Sequence, residues 1–200
     1  VGAVHTSAKK IIKEKGIDFS KLYQTKFLLG IVNSKLLNWY FFNFQSEGLH
    51  FYPDDAKKFP IIKLDVDYNQ RNFIKKVNQM ISFNGDLKKL SNIFQQLLNS
   101  KFDLEKLSKK LQNWHELNFG DFLKELEKAR KKSAKENKAE YSKLSLSEEA
   151  EWMQYFNEQK QKATKLKAEI DKTDKEIDQM VYELYGLTAD EIKIVEEATK

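Results

Sequence analysis

The stretch EIDQMVYELYGLTADEI, residues 176–192, predicts how this chain ends. Apolar residues recur at helical spacing as far as Leu184, and Gly186 follows where a helix C-cap takes left-handed backbone. Thr188 and Glu191 have the spacing of a capping box, which starts a new helix. The sequence therefore predicts a helix that stops before Gly186, a sharp turn and a final helix that folds back.

Upstream of this turn the apolar pattern continues without a break. It advances by alternating steps of four and three, the spacing of a coiled-coil seam. The seam positions are Trp152, Phe156, Gln159, Ala163, Leu166, Ile170, Thr173, Ile177, Met180 and Leu184. Residues 119–141 have a matching stripe, and Ser145 with Glu148 forms a second capping-box pattern between the two arms. These features predict a long antiparallel coiled-coil hairpin.

The composition suits a helical protein with one large or two small domains. The chain has 200 residues, is 40% hydrophobic and 32% charged, and contains seven glycines, two prolines and no cysteine. Disulfides, cysteine nucleophiles and thiolate zinc sites are therefore excluded. No apolar run reaches the length of about 18 residues that a membrane span needs, so we expect no membrane insertion. The absence of cysteine fits the reducing cytoplasm.

The charge is unevenly placed along the chain. The net charge is +5, with 13 Lys and Arg against 7 Asp and Glu in residues 1–85, and 22 against 23 in residues 86–200. The basic excess of the first part is compatible with a polyanionic partner, and equally with an ordinary lysine-rich surface. The start VGAVHTSAKK lacks an initiator Met and a signal-peptide pattern, which suggests a fragment of a longer chain.

The first part of the chain reads as helix, extended segment, helix. Residues 26–44 carry a wide apolar stripe, whereas the following stretch contains Pro53 and Pro60 and looks extended at Leu49, Phe51 and residues 59–62. A short helix is expected at residues 73–81. Further helices are expected at residues 86–99 and 103–117, with Asp103 as the N-cap of the second and Lys35 snorkelling along its apolar helix.

We therefore expect a mainly α fold with a small β-containing part, in which helices accompany the long antiparallel coiled-coil hairpin. Residues 1–85 would form the carboxy-terminal part of one domain. Residues 86–200 would form a helical spacer or docking region.

Three blocks of the sequence resemble a known family. They are FLLGIVNSKLLNWYF followed by FYPDDAKKFPI, then NWHELNFGDFLKEL, and finally LSLSEEAEWMQYF with EIDQMVYELYGLTADEI. In content, order and spacing these blocks resemble the TaqI-like carboxy-terminal specificity domain of type II restriction–modification enzymes that contain or pair with an adenine-specific DNA methyltransferase. The resemblance covers roughly residues 25–197. The first 20 residues do not resemble the extended segment that usually leads into such a helix.

The resemblance implies that this region recognises a DNA target and positions an N6-adenine methyltransferase, and in some of these enzymes a nuclease. Its implied partners are double-stranded DNA and a methyltransferase domain of the same parent chain or of a partner subunit. S-adenosylmethionine and Mg²⁺ are implied for the parent enzyme, and no cofactor is expected in this chain.

Catalytic motifs are missing from the sequence. Adenine methylation needs an Asn or Asp followed by two prolines and an aromatic residue, together with a glycine-rich loop. Neither proline has a proline neighbour. Asp65 and Asp67 read as turn or N-cap residues, and His115 beside Trp114 reads as a core or interface histidine. We therefore expect neither catalysis nor a metal site in this chain.

The DNA-contacting candidates lie in the first part of the chain. The loop NFQSEGLHFY, residues 43–52, offers polar groups for base edges at Asn43, Gln45, Ser46 and His50. Phosphate contacts would come from the lysines outside that loop, namely Lys9, Lys10, Lys13, Lys57 and Lys58. The basic run at residues 130–138 alternates with glutamates and reads as a solvated hairpin tip.

A second interpretation stays open. The chain could instead be a helical docking or dimerisation module with no DNA affinity of its own, which the near-neutral charge of residues 86–200 favours.

Overall fold

The computed structural model describes residues 22–44, 58–65 and 67–199. In this part the chain is mainly α, as predicted, and no β-strand occurs in these three ranges. The helices are α1 (Thr25–Val32), α2 (Lys35–Phe44), α3 (Arg71–Phe102), α4 (Lys109–Gln112), α5 (Phe119–Glu136), α6 (Leu146–Tyr185) and α7 (Ala189–Ala198), with a 3₁₀ helix at Trp114–Glu116. Of the expected extended positions, residues 59–62 form no strand, and Leu49 and Phe51 lie outside the described ranges.

α6 is a single helix of 40 residues that begins at its predicted capping box. The Ser145 hydroxyl oxygen accepts from the backbone N–H of Glu148 at 3.3 Å, and the Glu148 carboxylate accepts from the backbone N–H of Ser145 at 2.8 Å. Two backbone N–H groups at this helix end, which have no partner within the helix, are thereby satisfied. The predicted helix start is confirmed.

The end of α6 also follows the sequence prediction. Gly186 has a φ of 67°, and the N–H of Leu187 donates to the Tyr182 carbonyl at 3.0 Å, the long bond of a Schellman motif. Thr188 and Glu191 then form a complete capping box at the start of α7. The turn and the final helix are confirmed.

Two compact units make up the chain. Unit 1 comprises Val1–Met80 and Thr173–Lys200, and unit 2 comprises Ile81–Lys172. α3 and α6 contribute residues to both units, so each unit is assembled from stretches of these two helices together with its own shorter helices.

The core of unit 1 joins residues from the beginning and the end of the chain. Phe27, Phe73 and Val181 are each at most 1% exposed, and Val195 of α7 is buried with them. Gly30 is required for this packing, because a Cβ at this position would meet the Phe73 ring and the Val77 side chain inside van der Waals distance. α1 can therefore lie directly against the start of α3.

The core of unit 2 is built around aromatic rings. Phe94 stacks on Trp114 with ring centroids 3.9 Å apart, and Phe122 stacks on Phe156 at 4.8 Å. All four rings are at most 1% exposed. Offset and stacked aromatic pairs add about 0.5–1.5 kcal/mol each beyond the area they bury. These contacts connect α3, α5, α6 and the 3₁₀ helix.

The seam residues of α6 pack into two hydrophobic cores, one in each unit. Every predicted seam residue is buried or half-buried. Ring contacts of Trp152 with Phe122 (6.3 Å) and of Phe156 with Phe119 (5.6 Å) show the expected antiparallel pairing with α5 in unit 2. Ile177, however, belongs to the core of unit 1. α6 therefore contacts α5 in antiparallel order in unit 2, and its last turns pack in the core of unit 1.

Two predicted helix boundaries were wrong. α3 continues through Gly85. A glycine inside a helix costs about 1 kcal/mol relative to alanine, and the helix-forming residues around Gly85 outweigh this cost. Among the described residues, apart from its chain neighbours and the backbone of its own helix, no atom lies within 4 Å of the position that a Cβ would take at Gly85. Asp103 is not an N-cap, because it has a φ of 49° just after α3. The next helix, α4, starts instead at Ser108, whose side chain accepts from the N–H of Leu111 at 3.2 Å.

Candidate nucleic-acid interface

The last turns of α2 expose aromatic and amide side chains. Phe42 and Phe44 are 63% and 64% exposed, and Phe44 also contacts the ring of Trp39 at 5.4 Å. The side-chain N–H of Asn43 donates to the Trp39 carbonyl at 2.8 Å. Asn43 was expected to be a free donor, but this bond uses one of its hydrogens and leaves its side-chain oxygen as an acceptor at the surface.

Segment 58–65 lies beside this end of α2. The ring of Phe59 contacts that of Phe41 at 6.3 Å, and Lys58, next in sequence, is exposed. The structure thus brings two of the predicted contact residues, Asn43 and Lys58, onto neighbouring elements. Gln45, Ser46, His50, Lys57, Lys9, Lys10 and Lys13 lie outside the described residues, so their roles stay predictions.

Two tyrosine hydroxyls hold segment 58–65 in place. The Tyr185 hydroxyl donates to the Pro60 carbonyl at 2.9 Å and accepts from the N–H of Ile62 at 3.2 Å. The Tyr23 hydroxyl donates to the Ile62 carbonyl at 2.8 Å and accepts from the N–H of Leu64 at 3.3 Å. Side-chain hydroxyls thus satisfy backbone groups that a neighbouring strand would otherwise pair.

Burial keeps the Tyr185 hydroxyl protonated. Loss of solvent raises the pKa of this phenol to about 12, because the phenolate is poorly stabilised away from water. The hydroxyl therefore remains a donor to Pro60 at any physiological pH. Tyr185 therefore holds segment 58–65 in the same way across the physiological pH range.

A polar network missed by the sequence analysis anchors the start of α2. Asp178 of α6 is 2% exposed, and its Oδ1 accepts from the backbone N–H of Lys35 at 2.9 Å. Its Oδ2 is buried without a hydrogen-bond partner in the described part of the chain. Burial raises the pKa of the Asp178 carboxyl to about 6. This carboxylate meets the first turn of a helix, where the backbone dipole favours negative charge.

The side chain of Lys35 extends the same network to α7. Its ammonium lies 2.5 Å from Glu196 Oε2, and the Tyr182 hydroxyl donates to Glu196 Oε1 at 2.9 Å. The hydrogen bond from Lys35 is the main cause that lowers the pKa of Glu196. The expectation that Lys35 snorkels along its helix did not include this partner on α7.

Unit 2 carries most of the net charge. Residues 81–172 contain 19 Lys and Arg against 15 Asp and Glu, a surplus of four positive charges. The division of the chain at residue 85 does not show this surplus, because residues 173–200 are acidic. Part of this charge is paired, as in Lys131 with Glu127 at 2.8 Å. Arg130 lies over the Phe102 ring at 4.7 Å and donates to the Ser142 carbonyl at 3.0 Å. This part of the basic run is braced by neighbouring residues.

A polar cleft opens between α3 and the segment that follows α4 in unit 2. It has a volume of about 570 Å³ and is lined mainly by amides, with Lys88, Ser91, Gln95, Gln112 and His115 among its residues. Gln95 and Ser91 both donate to the Gln112 carbonyl, at 3.1 and 3.3 Å. His115 is half-buried, and desolvation is the main cause that lowers its pKa. The imidazole of His115 is therefore mainly uncharged at pH 7, and it forms part of the wall of this cleft.

The described part of the chain contains neither a cluster of metal-binding side chains nor a membrane-spanning helix. Within residues 22–44, 58–65 and 67–199, no three His, Asp or Glu side chains converge as metal ligands would. Asp65 instead accepts from the N–H of Tyr68 through its backbone carbonyl at 3.0 Å. In the same ranges, no helix combines the length and apolar character needed to cross a lipid bilayer.

Comparison with known proteins places the chain in a family. Residues 66–181 match the family model described as a domain of unknown function, DUF8810. The chain belongs to the DUF8810 family. The DUF8810 match includes all of unit 2 and much of α6. No curated protein and no solved structure matches the DUF8810 chain.

Proposed function

We propose that this chain is the DNA target-recognition region of a type II restriction–modification enzyme. In this role it binds double-stranded DNA in the cytoplasm and positions an N6-adenine methyltransferase that lies upstream in the same parent chain or in a partner subunit, and a nuclease where the parent also cleaves. The chain itself is not catalytic in this proposal. S-adenosylmethionine and Mg²⁺ belong to the parent's catalytic parts, and a small β-containing part remains expected in the recognition domain.

One observation carries the proposal. The first and last of the sequence blocks that resemble the specificity domain lie far apart in the chain, yet their residues meet in unit 1. Asp178 of the EIDQMVYELYGLTADEI block bonds to Lys35 of the NSKLLNWYF helix, and Tyr185 of the same block bonds to Pro60 and Ile62 of the FPI segment. Contacts between such distant blocks are expected if the blocks belong to one specificity-domain fold.

The geometry around α2 supports a nucleic-acid contact. Phe42 and Phe44 present exposed aromatic faces, Asn43 presents an amide oxygen, and Lys58 stands on the adjacent braced segment. In a duplex, apolar rings contact thymine methyl groups or wedge between base steps, amides read base edges, and lysines contact phosphates. A rigid support for such side chains is what sequence recognition requires.

The proposal is tested by measuring the affinity of the chain for duplex DNA at several salt concentrations. We expect weak binding whose logarithm falls linearly with the logarithm of salt concentration. The double variant Lys57→Ala, Lys58→Ala should flatten the slope by about two, because each lost phosphate contact removes about one unit. Lys124→Ala, an exposed lysine of α5 in unit 2 that is paired with Asp121, is the matched control.

The alternative function is a helical docking or dimerisation module without DNA affinity. It is favoured by apolar side chains exposed on unit 2, including Ile93 at 59%, Met153 at 46% and Leu146 at 85%. Absence of DNA binding at low salt, or binding that does not depend on salt, would favour this alternative over DNA recognition.

A further inference from the structure

The polar cleft of unit 2 has the chemistry of an anion site. Its residues supply amide, hydroxyl, imidazole and ammonium groups, and no carboxylate is among them. The acidic residues adjacent in sequence form ion pairs at the surface, Asp86 with Lys89 at 3.8 Å and Glu116 with Lys167 at 3.4 Å. The lining of the cleft therefore presents hydrogen-bond donors and one cation.

The walls of the cleft are held in position before any ligand arrives. Gln95 and Ser91 are tied to the Gln112 carbonyl, and the Gln112 side chain donates to the Leu107 carbonyl at 3.0 Å. These bonds join one face of α3 to the end of α4, and α4 to the segment before it. A rigid wall lowers the entropy cost of binding, which matters most for a small ligand.

The remaining donors are available to a ligand. Within the described part of the chain, the side chains of Lys88, Asn92 and Asn113 are exposed and form no hydrogen bond or ion pair. His115 completes the lining. Its Nδ1 is shielded from solvent without a partner, so a ligand would meet the ring from the Nε2 side.

Lysines near the cleft contribute positive potential at His115. Desolvation is the main cause that lowers the pKa of His115, Lys167 and Lys160 lower it further, and Glu116 acts in the opposite direction. A volume of about 570 Å³ falls in the usual range for small-molecule sites, about 300–1,000 Å³. It is ample for a phosphate group together with part of the molecule that carries it.

We propose that this cleft, formed by Lys88, Asn92, Asn113 and His115, binds a phosphate group. The phosphate belongs either to a nucleic-acid backbone or to a free phosphate compound, and both share the same recognition chemistry. This site lies in unit 2, apart from the residues that carry the proposed DNA recognition in unit 1, so its existence does not depend on that function.

The test is a proton NMR titration of the full chain, following His115 with inorganic phosphate against chloride at equal ionic strength. We expect phosphate to shift the His115 signals saturably and to raise the pKa of His115, because a nearby anion stabilises the imidazolium. His5 serves as the internal reference. Lys88→Ala should weaken phosphate binding about tenfold, the loss expected for one charge-assisted hydrogen bond.

Lys89→Ala is the matched control, because Lys89 is adjacent in sequence, does not line the cleft and is paired with Asp86. It should bind phosphate as the unmodified chain does. Displacement of phosphate by a short DNA duplex would identify a phosphodiester as the ligand, and retention would identify a free phosphate compound. A shift that does not saturate, or one equal in Lys88→Ala and Lys89→Ala, would overturn the proposal.

Discussion

The carboxylate of Asp178 accepts a hydrogen bond at 2.9 Å from the backbone N–H of Lys35, although 143 residues separate the two in sequence. This bond ties the first turn of α2 to α6. It also leaves a buried oxygen of Asp178 unpaired, so the site carries a charge that its surroundings stabilise only in part.

Replacement of Asp178 by Asn should change how stability depends on pH. The folded pKa of about 6 lies above the ordinary value of 3.8, so the stabilisation from this group is fully present below about pH 4 and is lost as pH rises through 6. Relative to Asp178→Asn, the unmodified chain should lose about 2–3 kcal/mol of unfolding free energy between pH 4 and pH 7.5.

Urea unfolding at several pH values measures this difference, and taking it between the two proteins cancels the contribution of other titrating groups. Asp171→Asn, an exposed carboxylate two turns earlier on α6 that is not among the charges acting on Asp178, should leave the pH dependence nearly unchanged. If Asp178→Asn and the unmodified chain have parallel pH profiles, the buried carboxylate is not the titrating group.

Hydrogen exchange should separate the roles of the two bracing tyrosines. Tyr185→Phe removes the acceptor of the Ile62 N–H, and Tyr23→Phe removes the acceptor of the Leu64 N–H. We expect each substitution to speed exchange mainly at its own amide and to cost about 1–3 kcal/mol, the usual penalty for buried groups left unpaired. Each variant is the control for the other. Equal acceleration at both amides would show general loosening instead.

Two glycines should respond to alanine in opposite directions. Gly30→Ala should destabilise unit 1 by about 1–3 kcal/mol, because the added methyl meets the buried Phe73 ring and Val77. Gly85→Ala should stabilise the chain by up to about 1 kcal/mol, since Gly85 lies inside α3 with nothing near its Cβ position. Thermal unfolding of both variants checks the pair. Stabilisation by Gly30→Ala would contradict the close packing of α1 on α3.

Locally encoded features were predictable from the sequence. The capping boxes at Ser145 and Thr188 and the left-handed Gly186 depend on residues within one turn, so their spacing alone is informative. The burial of the α6 seam was likewise visible as a heptad pattern. The division of that seam between two cores was not, because a heptad reports a buried face without naming its partner.

Features that depend on distant contacts could not be read from the sequence. The uninterrupted helix at Gly85 and the left-handed Asp103 are cases in which the surroundings outweigh local preference. The role of Asp178 was hidden because its partner is 143 residues away.

Selection from a pool of random duplex DNA tests the central claim most directly. The chain should be incubated with the pool at low salt, and the bound duplexes should be sequenced. We expect enrichment of one short motif, and we expect the variant Phe42→Ala, Asn43→Ala to retain weak binding while losing the enrichment, because base contacts specify and phosphate contacts do not. DNA binding without any enriched motif, or no binding at all, would contradict the assignment of target recognition to this chain.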